Sequence, residues 1–174
     1  MSDKSDKKDP LEAKIEQLKQ EDLDKALNVF RHKINREYAA YLSSCVHCGL
    51  CAESCHYYLT HQDIKSLPAY KLSLVTRIFK KYFSFIGKVA PRWIGAEELD
   101  SVLIQEWIDT LFGRCTLCGR CSLNCSMGIN IPYLIRAARG ALAATGLVPP
   151  GLQSTIDTAV EKGNNMGIAK EDWL

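Results

Sequence analysis

Eight cysteines fall in two identical runs, at positions 45, 48, 51 and 55 and again at 115, 118, 121 and 125. Each run reads C-x2-C-x2-C-x3-C, and no cysteine is left over. Disulfide scaffolds rarely repeat a spacing in this way, and two cysteines three residues apart sit awkwardly for bridging each other. Thiols set out so regularly point to metal. A single C-x2-C would be weak, since zinc ribbons and thioredoxin-like motifs share it, but a duplicated quartet is far more restrictive.

A cubane [4Fe–4S] cluster needs four thiolates around a compact inorganic core. Three cysteines at successive three-residue intervals wrap one cluster in a tight loop. The fourth must come from elsewhere, because the chain has already turned away. Two such clusters are the expected cofactors. The bland alternative is a zinc-binding interaction protein, but zinc sites usually split into two C-x2-C pairs with a longer loop between them. The three-cysteine motif of radical enzymes differs in spacing and leaves one iron open to substrate. Gly49 and Gly119 follow the second cysteine of each quartet, where a residue without Cβ lets the backbone approach a cluster or take positive φ. His47, His56 and His61 lie near the first quartet. With all eight sulfurs present, they are expected beside the cluster or at the surface rather than as ligands.

The rest of the chain reads as helix. Leu11, Ile15 and Leu18 form one apolar stripe, and Leu23, Leu27, Phe30 and Ile34 form a second in a different register. This predicts two helices or one bent one, either packed on their own domain or forming a docking arm for another subunit. Residues 1 to about 9 are charged and read as a solvated tail. Between the quartets, Ser66-Leu67-Pro68 starts a helix whose stripe is Leu72, Val75, Phe79, Tyr82 and Ile86, closed by Pro91-Arg92-Trp93-Ile94-Gly95. Arg77, Lys80, Lys81 and Lys88 gather opposite that stripe. The positive face could meet anionic lipid, an acidic partner, or the chain's own next helix. That helix, expected over about 96–112, carries Glu97, Glu98, Asp100, Glu106 and Asp109 beside Leu99, Leu103, Trp107 and Leu111. Asn130-Ile131-Pro132 opens another helix through Ala144, and a last one spans about 152–162. No segment alternates like a strand, so the expected fold class is all-α. Three regions follow: a tail and helical extension over 1–38, a two-cluster domain over 39–145, and a C-terminal helix and tail over 146–174.

The formal net charge of +2 gives no bulk attraction to nucleic acid. No run of about 18 apolar residues is present to span a membrane. Residues 1–8 lack the apolar core of a secretory signal. The expected location is the cytoplasm, with any membrane association made through partner subunits.

At the quartets the sequence resembles the C subunit of heterodisulfide reductases and, more widely, the α-helical ferredoxins that include the iron–sulfur subunit of succinate dehydrogenase. The resemblance rests on Ser44-Cys45-Val46-His47-Cys48-Gly49-Leu50-Cys51, Pro68-Ala69-Tyr70-Lys71, the run Phe112-Gly113-Arg114-Cys115-Thr116-Leu117-Cys118-Gly119-Arg120-Cys121, and Cys125-Ser126-Met127-Gly128-Ile129-Asn130-Ile131. It covers about residues 40–145 and implies an all-helical two-cluster module. In two-cluster ferredoxins with this spacing the fourth cysteine of each run ligates the other cluster. Carried over, cluster A uses Cys45, Cys48, Cys51 and Cys125, and cluster B uses Cys115, Cys118, Cys121 and Cys55. His56 and Ser126 depart from the pattern, since bacterial ferredoxins carry proline after the fourth cysteine.

Subunits of this kind sit beside a cysteine-rich catalytic subunit. The resemblance therefore implies an electron-transfer subunit with no catalytic residues of its own, fed by an upstream flavin or iron–sulfur donor. A free ferredoxin shuttle is the alternative, although shuttles tend to be smaller and acidic. Arg114 and Arg120 flank ligands of cluster B and are expected to raise its potential.

Overall fold

Pattern breaks in the sequence become helix breaks in the computed structural model, which describes residues 10–173. The expected solvated tail at residues 1–9 lies outside the described residues. The two N-terminal stripes form two helices, α1 (Pro10–Glu16) and α2 (Gln20–Lys33), because Lys19 between them is extended. The Asn35 side chain accepts a hydrogen bond from the Tyr38 amide at 2.8 Å and so caps α3 (Arg36–Ser44), which runs into the first cysteine loop. After that loop come α4 (His56–His61), α5 (Pro68–Phe83), α6 (Phe85–Val89) and α7 (Pro91–Ile94). Helix α8 (Ser101–Trp107) continues as a π-helical stretch, Ile108–Gly113, into the second cysteine loop. Helices α9 (Arg120–Leu123), α10 (Ile131–Ala144) and α11 (Pro150–Lys162) complete the order. No strand occurs among the described residues, so the fold is all-α. None of these helices is long and apolar enough to cross a membrane.

The core is built around α10, which packs against α2, α5 and the π-helical stretch. Small residues on α10, Ala138 and Ala141, are fully buried and let neighbouring helices approach closely. Phe30 of α2 sits 5.9 Å from the Trp107 ring and edge-on to Tyr38 at 6.0 Å, while the Tyr38 hydroxyl donates to the Leu134 carbonyl at 2.7 Å. The N-terminal helices thus pack on their own domain and share its hydrophobic core. Helix α11, by contrast, has no buried side chain.

Two helix boundaries differ from the sequence expectation. The basic helix was expected to continue to about residue 90, but it ends at Phe83 because Ser84 is extended. The chain then folds back so tightly that a Cβ on Gly87 would lie 1.9 Å from the Lys80 carbonyl oxygen. Ile86, expected on the buried stripe, is therefore exposed. The acidic helix starts at Ser101, not near 96, because the Asp100 carboxylate accepts from the Leu103 amide at 2.8 Å and acts as its cap. Glu97 and Glu98 lie in the preceding loop and turn back to α5. Arg77 meets Glu97 at 3.1 Å and Lys81 meets Glu98 at 2.7 Å, so this part of the positive face pairs with the chain's own acids. Such exposed pairs are worth at most about 1 kcal/mol each; they set orientation more than stability.

The aromatic cluster generates a direct test of the shared core. Phe30→Ala should cost about 3–5 kcal/mol, as removal of a buried aromatic does. The thermal midpoint of the cluster-loaded protein is then expected to fall by on the order of 10 °C. An unchanged midpoint would show that α2 is dispensable to the core.

Candidate metal centre

The two cysteine quartets fold as one backbone built twice. His47 and Leu117, at equivalent positions, hold φ of +53° and +58°, and Gly49 and Gly119 hold +84° and +82°. The Gly49 carbonyl accepts from the Ala52 amide at 2.8 Å, and the Gly119 carbonyl accepts from the Ser122 amide at 3.0 Å. Cys55 and Cys125 then donate their amides to the Ala52 and Ser122 carbonyls. Left-handed conformation at a non-glycine residue costs about 1–2 kcal/mol, and each loop carries one such residue. That strain bends the chain twice within five residues and brings three thiols to one side.

Each trio borders a cavity. One is lined by Cys115, Cys118, Cys121 and also Cys55. The other is lined by Cys45, Cys48, Cys51 and also Cys125. The fourth cysteine of each quartet therefore lies with the trio of the other quartet. All eight are free thiols. Among the described residues, no three His, Cys, Asp or Glu side chains are grouped to hold a single metal ion. Four cysteines border each cavity, whereas zinc needs four donors about 2.3 Å from one centre.

Both cavities lie at the same two helix starts. Ala69 and Leu72 of α5 and Ile131 of α10 border the Cys45 cavity, while Pro68 and Lys71 of α5 and Pro132 and Ile135 of α10 border the Cys115 cavity. Helix N-termini carry partial positive charge and favour anionic groups. Prolines there are tolerated because the missing N–H has no helical partner.

The two cavities differ in charge. Around the Cys45 cavity the walls are apolar, from Val46, Leu72, Met127, Ile129 and Ile131, and His47 is the one titratable side chain besides the thiols. The Cys115 cavity is bordered by Lys71, Arg114 and Arg120. Arg114 is paired with Asp63 and Asp109, which offsets its charge. The Lys65 amide, together with Arg114, holds the Asp63 carboxyl below the usual carboxylate range. Lys71 is different. It is 1% exposed, its ammonium donates to the Arg114 carbonyl, and it lies 5.7 Å from the centre of the Tyr57 ring. Burial pulls its pKa below the ordinary lysine range, and the thiolates of Cys115, Cys55 and Cys121 pull it back up. Arg139 donates from Nε to the Leu111 carbonyl at 2.9 Å and from Nη2 to the Cys115 carbonyl, with Phe112 stacked at 4.8 Å. Neither Lys71 nor Arg139 has an ion pair with a carboxylate among the described residues. A buried cation costs several kcal/mol unless an anion balances it, and the sulfurs of this cavity are the groups placed to supply one.

Sequence reasoning assigned Lys71 to the basic helix and passed over Arg139. The signal for Lys71 was there: it sits one turn before Val75, inside the apolar stripe. The three histidines are exposed; His47 and His56 border one cavity each, while His61 borders neither. The Ser126 hydroxyl, where ferredoxins carry proline, is 3.9 Å from the Cys48 sulfur. Burial, with the neighbouring thiolates of Cys115, Cys51, Cys118 and Cys55, pushes the Cys121 thiol up to about 12. Soft thiolate donors around a void, helix N-termini and an unbalanced buried cation together fit an anionic iron–sulfur cluster, and they fit a lone zinc ion poorly.

Comparison with known proteins agrees with that chemistry. Residues 41–129 match the family described as the 4Fe-4S dicluster domain. The chain is 36% identical over 134 residues to the Hdr-like menaquinol oxidoreductase iron-sulfur subunit of Archaeoglobus profundus, covering 77% of this chain and 24% of that protein. It is 33% identical over 134 residues, with the same coverage, to the second iron-sulfur subunit of the Hdr-like menaquinol oxidoreductase of Archaeoglobus fulgidus. Over 125 residues it is 30% identical to one of the subunits of the dihydromethanophenazine:CoB–CoM heterodisulfide reductase of Methanosarcina barkeri, covering 71% of this chain and 29% of that one. The chain thus spans about a quarter of the length of the curated relatives it matches. No solved structure matches it. With that family match over half its length and the thiols to support it, the chain belongs to the 4Fe-4S dicluster domain family.

Proposed function

We propose that this chain is the electron-transfer portion of an Hdr-like oxidoreductase, and that it carries two [4Fe–4S] clusters and passes single electrons to a cysteine-rich catalytic partner. Cluster A is held by Cys45, Cys48, Cys51 and Cys125, and cluster B by Cys115, Cys118, Cys121 and Cys55. The observation that carries this reading is the crossed lining of the two cavities, each bordered by four thiols. When bound, such clusters supply reversible one-electron transfer.

The chain's own residues do the rest. The thiolates bind, and the strained loops at His47, Gly49, Leu117 and Gly119 orient them. Aliphatic side chains such as Leu72, Ile129 and Ile131 back cluster A, while Lys71 and Arg139 supply positive charge beside cluster B. The relatives' names place them in menaquinol oxidation and heterodisulfide reduction. Both reactions move two electrons, so a one-electron conduit needs a partner that collects pairs. No side-chain set here is arranged as a catalytic centre in this reading. The donor on the other side is a flavin or a further iron–sulfur protein, and the setting is cytoplasmic, with partner subunits making any link to a membrane.

Metal content and mutation test the assignment together. Anaerobically prepared protein should hold about eight iron and eight sulfide per chain, as two four-iron clusters require. Cys125→Ser should change the spectroscopic signature of the cluster that Cys45→Ser also changes, and Cys55→Ser that of the Cys115→Ser cluster. Mutants that instead group by quartet would rule out the crossing.

Lys71 predicts an ordering of potentials. A unit positive charge 5–10 Å from the reduced cluster, at an effective dielectric near 20, is worth about 2–3 kcal/mol. That is on the order of 100 mV for one electron. Lys71→Met should lower the potential of cluster B by tens of millivolts up to that limit and leave cluster A nearly unchanged, with Lys71→Arg restoring most of it. Because acids offset Arg114, Arg114→Ala should move the potential less. Equal shifts at both clusters in redox titration would remove Lys71 from this role.

The purified chain should take electrons from an artificial donor and reduce a dye, yet show no thiol–disulfide turnover. Steady disulfide reduction by the chain alone would make it an enzyme in its own right.

A further inference from the structure

The corner made by α6 and α7 exposes four large apolar side chains, and it is also basic. Phe85 is 80% exposed, Val89 70%, Trp93 87% and Ile86 52%. Their outward direction is fixed by the backbone. Gly87 faces α5 so closely that no Cβ fits against the Lys80 carbonyl. At 100° per residue, Phe85 and Val89 lie about 160° and 200° around the helix from Gly87, opposite the packed side. Ile86 and Lys88 flank them.

Charge follows the same surface. Lys88 and Arg92 are exposed, and neither pairs with an acid among the described residues, in contrast to Arg77 and Lys81. Arg31 adds a third exposed cation, 5.9 Å from the Phe83 ring at the edge of the corner. No acid occurs between Asp63 and Glu97. Exposed to this degree, Phe85, Val89 and Trp93 protrude from the surface, so they suit insertion into a soft apolar medium. Aromatic tips surrounded by lysine and arginine are the composition that lies at the boundary between headgroups and acyl chains of anionic bilayers.

We propose that the α6–α7 corner binds an anionic lipid surface directly, with Phe85, Val89 and Trp93 inserted and Arg31, Lys88 and Arg92 on the headgroups. The geometry suits an anchor rather than an electron path. Helix α5, whose first turn borders both cavities, is 16 residues long, which puts the corner roughly 20 Å from the cysteine loops. A chain held by this corner keeps the loops, with exposed Cys48 and Cys118, open to a protein partner.

Flotation of the cluster-loaded full chain with vesicles tests this. Binding to phosphatidylcholine vesicles containing phosphatidylglycerol should be at least tenfold tighter than to phosphatidylcholine alone at low salt, and should weaken as salt screens the charges. The double change K88Q/R92Q should weaken binding to the anionic vesicles by roughly 25-fold, at about fivefold per cation. F85S and W93S should each weaken it tenfold or more while leaving iron content and thermal midpoint unchanged, since both side chains face solvent. In a Trp173→Phe background, Trp93 emission should be quenched by brominated lipid, whereas buried Trp107 should not respond. No binding, equal binding to both lipids, or unaltered binding by F85S and W93S would overturn the proposal. Lipid-free self-association abolished by W93S would reassign the corner to a second copy of the chain. Loss of a protein partner in W93S, with vesicle binding intact, would reassign it to that partner. Either reassignment overturns the lipid reading and leaves the cluster assignment untouched.

Discussion

Everything in this structure depends on surrounding each of two voids with four thiols when one loop can supply only three. A loop that wraps tightly enough to present three sulfurs has turned away from the void before its fourth cysteine arrives. The solution is reciprocal: Cys55 leaves the first loop for the second cavity, and Cys125 leaves the second loop for the first. Neither cavity is complete unless both loops are folded and face each other. The rest of the fold holds that arrangement. Helices α5 and α10 each begin between the cavities, and their packing against each other fixes the distance between the loops.

The same arrangement carries an electrostatic cost. Burial, and after it the charge of neighbouring sulfurs, disfavours an ionised thiol here, as the raised Cys121 thiol records. Compensation comes from the α5 and α10 N-termini and from buried cations, and it is uneven. Lys71 and Arg139 stand on the Cys115 side, and the Cys45 side is walled by aliphatic residues. Two sites built from one repeated backbone thus become two different electrical environments. On the proposed reading, with one cluster in each cavity, that difference sets which cluster holds the electron longer.

Rigidity comes from further away. The N-terminal helices bring Phe30 against Trp107, and Tyr38 onto the Leu134 carbonyl, locking α2 and α3 to the α10 spine behind the cavities. Strained left-handed residues such as His47 and Leu117 persist only where surrounding structure over-determines them. The aromatic core and the α5–α10 packing provide that restraint. The α5 cations pair with Glu97 and Glu98, which turns the intervening α6–α7 corner outward with its apolar side chains uncovered.

The spacing of the cysteines by itself showed the repeat and pointed to the iron–sulfur cofactor class that the family match supports, because thiolate chemistry and loop length leave few other occupants for eight such residues. Apolar periodicity likewise determined that the fold is helical, and the break between Leu18 and Leu23 narrowed the N-terminal segment to two helices or one bent one, of which the structure has two. Proline and asparagine marked the starts of α5 and α10 through purely local geometry. What sequence could not decide were the features set by contacts distant along the chain. The end of α5 depends on Gly87 meeting the Lys80 carbonyl, and the start of α8 depends on Asp100 rather than the earlier acids acting as cap. Lys71 looked like one more cation on a basic helix, and Arg139 like an ordinary helical arginine. Only the packing of α5 and α10 around the second cavity turned them into its buried positive charge, because burial and counter-charge belong to the assembled neighbourhood and not to any stretch of sequence.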